Sequence, residues 1–258
     1  MVSNKLAIVL AAGKGTRMNS DLPKVLIPVR GRPMIEYVLD ALDSTGIDES
    51  LVVVGYRRDD VRRALAGRSR VAFVEQTEQR GTGHAAMVCR EHLELHDGPV
   101  LIVTGDSPLV QSASLSRLVQ EFERDRPACM LGTAHKVDPS GLGRIVRDEV
   151  GEFAGIVEEK DATPDQRRIT EVNLSCYVFD CRALLFALSR IGANNRQNEY
   201  YLTDCPGVLK AAGRDVRALP ILRPCETLSI NTPEELAVVE AAMAGLTAET
   251  TGGHSILD

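Results

Sequence analysis

The chain has 258 residues, 44% of them hydrophobic and 26% charged, with a formal net charge of −6. That length and composition fit a folded globular protein of one large α/β domain or two small ones. The acidic balance argues against a broad nucleic-acid surface, and no stretch approaches the roughly 20 apolar residues of a membrane span.

Taken in order, Met1–Lys5 is not expected to be a signal peptide, because the apolar run after it is too short and flows into a glycine turn. That run, Leu6–Leu10, predicts a buried strand of a parallel sheet. It breaks into Ala11-Ala12-Gly13-Lys14-Gly15-Thr16-Arg17-Met18, followed by Asp21-Leu22-Pro23-Lys24-Val25-Leu26. Gly13 and Gly15 carry no Cβ, so their N–H groups can close around an anion. Lys14, Arg17 and Lys24 add charge, and together they suggest a polyphosphate cradle. A kinase-type P-loop is excluded because Thr16, not lysine, follows Gly15. A dinucleotide fingerprint is disfavoured by Met18 in place of its third glycine and by Glu36, which sits in helical spacing rather than at a strand end. What fits is G-x-G-T-R with a Pro-Lys pair on an extended loop, the signature of nucleotidyltransferases acting on sugar phosphates.

Helical spacing predicts a helix over Pro33–Ser44, with proline near its start. Leu51–Val54 is a strand, Asp59–Ala66 a short helix and Val71–Val74 a strand. Gly83–His96 reads as one helix, Val100–Thr104 as a central strand and Ser112–Arg124 as an amphipathic helix. This alternation specifies α/β architecture with a doubly wound, mostly parallel Rossmann-like sheet. After Pro127 the texture changes. Ala128–Val137, Gly143–Arg147, Glu152–Val157 and Glu171–Phe179 are strand-like runs with interleaved polar residues, which suggests a smaller antiparallel insertion forming the second wall of a cleft. Helices are expected at Arg182–Ile191 and Tyr200–Ala212, a strand at Val216–Ile221, and a helix at Pro233–Ala244 capped by Asn231 or Thr232. Residues 1–245 would form one domain, with a nucleotide part (1–127) and a sugar part (128–245); 246–258 reads as a frayed tail. Cys89, Cys129, Cys176, Cys181, Cys205 and Cys225 form no C-x-x-C pair and read as reduced thiols of a cytoplasmic protein.

Two loops should share a rim with the glycine turn, since ligands of open α/β sheets bind off the carboxyl ends of the strands. In Glu75-Gln76-Thr77-Glu78-Gln79-Arg80-Gly81-Thr82-Gly83-His84-Ala85, Gln76 offers a donor and an acceptor to a pyrimidine edge, and Gly81 lets backbone approach a base. His84 falls in a first helical turn, where packing or capping is the commoner use. In Thr104-Gly105-Asp106-Ser107-Pro108, the strand end presents a carboxylate that fits magnesium, which takes one or two carboxylates plus substrate phosphates. The competing reading of Asp106 is an Asx-type turn residue.

The opening loop, the Gln76–Ala85 segment and later motifs resemble the N-acetylglucosamine-1-phosphate uridylyltransferases, over a span reaching about Gly245. The resemblance implies that Leu10, Ala11, Ala12, Gly13, Gly15, Thr16, Gln76, Gly81 and Thr82 bind the nucleotide. It also implies that Arg17, Lys24 and Asp106 are catalytic and that Asp106 and Asn231 hold Mg²⁺. Asp138–Ile145 is similar to a Gly-Tyr-Gly-Arg-Ile turn and gives Gly143 to the sugar. By the same comparison Glu158, Asn173, Tyr201 and Thr203 complete the sugar site. The implied substrates are UTP and N-acetylglucosamine 1-phosphate, on the route to a cell-wall precursor, with no nucleic acid or membrane as partner. The family's bifunctional members add a β-helical acetyltransferase half, whose hexapeptide repeat this sequence lacks. Departures are Thr104 for an aromatic residue and Leu174-Ser175 for Thr-Gly. Because a strand alternates faces, Ser175 is expected in the cleft with Asn173, and Leu174 away from it. Another sugar or base, or a non-catalytic nucleotide-sugar sensor, are the alternatives.

Overall fold

Alternation of side chains along the first strand sets the layering. In β1 (Leu6–Ala11), Leu6 and Ile8 pack on one face of the sheet while Ala7, Val9 and Ala11 pack on the other, so both faces must be covered. The structure is a computed structural model describing residues 4–18 and 20–252, with side chains described as far as Leu246.

From β1 the chain forms a small hairpin, β2 (Pro28–Val29) and β3 (Arg32–Pro33), and enters α1 (Met34–Ser44). It continues through β4 (Glu49–Val54), α2 (Arg58–Ala64) and β5 (Val71–Glu75). The predicted helix over Gly83–His96 is instead two short ones, α3 (Thr82–Met87) and α4 (Arg90–Glu94), which lead to β6 (Pro99–Thr104) and α5 (Ser112–Asp125). Then come β7 (Cys129–His135), β8 (Gly143–Arg147), β9 (Phe153–Val157), β10 (Glu171–Asp180), α6 (Cys181–Leu188), α7 (Asp204–Ala211), β11 (Val216–Leu219) and α8 (Pro233–Gly252). One face of the sheet packs residues of α1, α2 and α5, and the other packs residues of α3, α4, α6 and α7, as a doubly wound fold requires.

The sheet order is β11-β7-β10-β6-β1-β4-β5. β1 lies parallel between β4 and β6, so the strand order reverses beside it and opens a crevice off the carboxyl ends of β1 and β6. β10 runs antiparallel to both β6 and β7. The antiparallel insertion is therefore smaller than the sequence suggests. β7 and most of β10 belong to the main sheet, and only the β8–β9 hairpin leaves it, pairing with the first residues of β10.

A third apolar cluster seats α8 through Val239 and Met243, against Met18, Ile27, Val29, Met34, Leu109 and Ile230. The last helix outruns its prediction. It continues through Gly252, so the first part of the expected tail from 246 is helical, while 253–258 lie outside the described residues.

Candidate active site

The glycine turn and the Asp106 turn are tied together by backbone. Gly105 N–H donates to the Leu10 carbonyl at 2.9 Å, extending the β1–β6 ladder one residue past the strand ends and placing Asp106 at the crevice. A Cβ on Gly105 would lie 3.2 Å from Val25 and 3.3 Å from the Leu10 oxygen, so only glycine gives this contact freely. Gly15 has φ +68°, and a Cβ there would sit 2.6 Å from the Lys24 Cβ. This pins the stem of Lys24 against the turn, and Arg57 holds the intervening loop by donating to the Asp21 carbonyl at 2.7 Å.

Four functional groups converge here from positions far apart in sequence. The Lys24 ammonium donates to Asp106 Oδ2 at 2.6 Å and to Asn231 Oδ1 at 3.0 Å. Arg17 Nη2 donates to the same Asn231 Oδ1 at 3.0 Å. Thr104 and Ser107 hydroxyls, 2.7 Å apart, close the turn around Asp106. The cap of α8 is Thr232, not Asn231. The Thr232 hydroxyl accepts from Glu235 N–H at 3.3 Å, while Glu235 Oε2 accepts from Thr232 N–H at 3.2 Å and Asn231 N–H at 2.5 Å. This capping box leaves the Asn231 carbonyl oxygen aimed at the cations, its amide held by Ser229 at 3.2 Å.

Two hard oxygens, Asp106 Oδ2 and Asn231 Oδ1, thus meet at one cation position. That donor set suits Mg²⁺, which keeps water and phosphate oxygens in its remaining positions. Among the described residues no cluster of three His, Cys, Asp or Glu side chains could hold a metal, so a site here would take its remaining ligands from water or substrate oxygens.

On one side of this centre lies a cleft lined by Leu10, Ala11, Ala12, Gly13, Gln76, Gly81 and Thr82, together with Lys24 and Asp106. Gly15 and Thr16 stand outside that lining, Gly15 behind Lys24 and Thr16 exposed at the start of a single 3₁₀ turn. Lys14 turns away and lies 5.3 Å from the centre of the Tyr56 ring. Gln76 is buried, and its amide nitrogen donates to the Gly81 carbonyl at 3.1 Å and sits 3.0 Å from His84 Nδ1. Its donor is therefore committed to shaping the loop, with the carbonyl end left over, and His84 has the packing role expected of it. Gly81 lines the cleft and also meets protein. A Cβ there would strike the Tyr200 carbonyl at 2.5 Å, so the missing side chain permits a close approach of backbone to backbone. Gly83 N–H donates to that carbonyl at 2.7 Å, Tyr200 N–H to the Arg80 carbonyl at 2.8 Å, and Leu202 N–H to the Thr82 hydroxyl at 3.1 Å. The loop after β5 is thereby stitched to the Glu199–Leu202 segment.

The sugar-side candidates fall in two groups: Glu158, Tyr201 and Thr203 line a pocket with Asp161 and Asp204, while Asn173 lines the cleft that holds Asp106 and Asn231. Gly143 and Asn173 are paired neighbours across β8 and β10. A Cβ on Gly143 would lie 3.6 Å from both the Asn173 Cβ and Glu158 Oε2. Thr203 donates to Glu158 Oε1 at 2.8 Å, and the Tyr201 hydroxyl accepts from Gln197 at 2.8 Å. Burial pushes the Glu158 carboxyl above its ordinary range; the Thr203 hydrogen bond opposes this, and the Asp204 and Asp161 charges add to it. Arg144, almost wholly buried, bonds the Leu142 carbonyl and reaches Glu159 at 2.6 Å, fixing the residue next to Glu158.

The expected alternation at Leu174-Ser175 fails. The β10–β7 register jumps between Asn173 and Cys176 in a bulge, and Ser175 has φ +54°, the left-handed region. Asn173, Leu174 and Ser175 all line the cleft that holds Arg17, Lys24, Asp106 and Asn231. Gln79 and Glu199, which line the first cleft, and Ser229 and Glu235, which line the second, were not singled out from sequence. Only Glu235 had a signal, the Thr-x-x-Glu capping pattern of Thr232-Pro233-Glu234-Glu235.

The chain is similar over most of its length to known proteins. The chain is 40% identical over 243 residues to the "Bifunctional protein GlmU" of Shouchella clausii and 40% identical over 242 residues to that of Enterococcus faecalis, each match covering 94% of this chain. It is 43% identical over 237 residues to the protein of the same name from Streptococcus pyogenes serotype M1, covering 92% of this chain. These matches cover 53%, 52% and 51% of the relatives, so the chain spans about half the length of the curated relatives it matches. Among solved structures, a crystal structure of UDP-glucose pyrophosphorylase complexed with UDP-glucose shares the fold, with TM-score 0.75 and 16% identity over 95% of this chain and all of that one. The family model described as a MobA-like NTP transferase domain matches residues 7–175, and the chain belongs to that family.

Proposed function

We propose that the protein is a cytoplasmic, magnesium-dependent nucleotidyltransferase that transfers UMP from UTP to N-acetylglucosamine 1-phosphate, giving UDP-N-acetylglucosamine and pyrophosphate. The observation that carries this reading is the convergence of Arg17, Lys24, Asp106 and Asn231 at the crevice between β1 and β6, with one cleft on either side. UTP lies along residues 10–13 with its base toward Gln76, Gly81 and Thr82, and its phosphates near Gly15, Thr16 and the cations. The sugar phosphate lies against Gly143, Glu158, Asn173, Tyr201 and Thr203. Residues 1–127 thus form the nucleotide part and 128–245 the sugar part of one domain.

No protein nucleophile is required. A phosphate oxygen of the sugar phosphate attacks the α-phosphorus of UTP in line, and the bond to pyrophosphate breaks. Arg17 and Lys24 neutralise charge that builds on the phosphoryl oxygens, and Glu158 and Asn173 orient the sugar through its polar groups. Magnesium, held by Asp106 and Asn231, would supply further neutralisation of the triphosphate.

A matrix of four nucleoside triphosphates against several sugar 1-phosphates, read by pyrophosphate release with magnesium present, tests the reading. UTP with N-acetylglucosamine 1-phosphate is expected to be fastest. Another winning pair would overturn the named substrates, and no turnover with any pair would overturn catalysis itself.

A further inference from the structure

Resting on that function, we propose that the Lys24 ammonium is a placeholder for the metal. Without nucleotide it occupies the cation position on Asp106 and Asn231, and a bound triphosphate draws it away, so that metal and nucleotide bind cooperatively. The two partners of Lys24 Nζ, Asp106 Oδ2 at 2.6 Å and Asn231 Oδ1 at 3.0 Å, are the two oxygens assigned to the metal. An ammonium bridging these two oxygens stands where a divalent cation bridging them would sit, and the two repel each other at contact distance. Among the described residues Arg17 hydrogen-bonds Asn231, at 3.0 Å, and not Asp106.

The lysine is built to move at its tip alone. Gly15 packs against its Cβ, and Pro23 holds the backbone extended before it, so the stem is fixed while the end of a flexible four-carbon chain can turn. Lys24 also lines both clefts, so a change of rotamer carries its charge from Asp106 toward the glycine turn. In the free protein the ammonium neutralises a half-buried carboxylate and keeps the site assembled. A triphosphate offers it better partners and releases both oxygens. By linkage, whatever factor the nucleotide adds to metal affinity the metal returns to nucleotide affinity.

Mn²⁺ serves as probe, its binding followed by electron paramagnetic resonance on the nucleotide-free full chain, with melting curves to confirm folding. Lys24→Met, which keeps the stem and removes the charge, is expected to bind Mn²⁺ at least ~10-fold more tightly than the wild type. Lys24→Gln is the second variant and should follow it. Arg17→Met removes an equal charge one contact away and should gain much less. Adding Asp106→Ala to Lys24→Met should abolish the gain. No gain at Lys24, an equal gain at Arg17, or a gain that survives loss of Asp106 would each overturn the proposal. The wild type with α,β-methylene-UTP separates the two readings. If Mn²⁺ fails to bind at Asp106 even then, the metal site of the proposed function falls; if it binds there and the Lys24 variants show no gain, only the placeholder falls.

Discussion

Single side chains in this site act through charge and conformation that can be measured one at a time. Arg17→Ala and Lys24→Ala are each expected to lower kcat by roughly 10²–10³, the usual cost of one preorganised charge-stabilising donor. Lys14→Ala should cost far less, because its ammonium lies over Tyr56; an equal loss in steady-state assays of all three would contradict the ranking. Glu158 gives a pH signature. Burial raises its carboxyl above the ordinary 4.5, so the folded chain holds this proton to higher pH than the unfolded chain. Its contribution to stability is therefore present below that ordinary value and is lost as pH rises through the raised one. Glu158→Gln should raise Tm at about pH 8 and leave it nearly unchanged at about pH 4, while weakening sugar-phosphate binding. Thermal melts at both pH values check the sign. At Ser175 the left-handed backbone favours glycine, the residue the resembled family carries there. Ser175→Gly should stabilise the fold by about 0.5–1 kcal/mol in denaturant titrations, after the entropy that glycine adds to the unfolded chain.

Among elements, the start of α8 is the joint that matters most. The Thr232–Glu235 capping box begins a helix seated by Val239 and Met243, and the same Glu235 carboxylate fixes the backbone of Asn231. Thr232→Ala removes the side-chain acceptor of that box and should cost about 1 kcal/mol of stability. It should also loosen Asn231 and lower affinity for divalent metal in the presence of nucleotide, measurable by Mn²⁺ titration. Stability loss with unchanged metal affinity would show that Asn231 is held by its other contacts. The bonds from Arg80, Thr82 and Gly83 to Tyr200 and Leu202 play a comparable part, joining the rim of the first cleft to the segment that leads into Tyr201 and Thr203, which line a separate pocket with Glu158.

For the whole molecule, an acidic chain with a local cationic centre suits small anionic substrates rather than a polyanion surface, and among the described residues no helix is long and apolar enough to cross a membrane. Asp106 sits at the rim of the sheet and not in its core. Asp106→Ala should therefore leave Tm and circular dichroism close to wild type while abolishing metal-dependent turnover. Turnover within a few-fold of wild type would refute the metal assignment. The layered α/β fold was legible because strands buried on both faces are written as short apolar runs, and helices as a 3.6-residue spacing, both local signals. The glycine turn and the Gly-Asp strand end were legible for the same reason: each is a few adjacent residues whose chemistry follows from having no Cβ or from ending a strand.

What the sequence by itself determined is the set of local elements and the types of group on offer: two small-residue turns, three cations, a rim carboxylate and the polar residues of the second half. Only the tertiary structure decided how they meet. Nothing in the spacing of Lys24, Asp106 and Asn231 says that one ammonium bridges the other two, because that contact depends on β6 lying beside β1 and on α8 returning across the β2–β3 hairpin. The packing of Gly81 against Tyr200 depended on a partner distant in sequence in the same way, whereas the Thr232 cap rests on Glu235 three residues on. The bulge at Leu174-Ser175 was hidden for a related reason. Side-chain alternation is a property of an unbroken ladder, and the register of β10 is set by β7 and β8, so its break is visible only once the strands are paired.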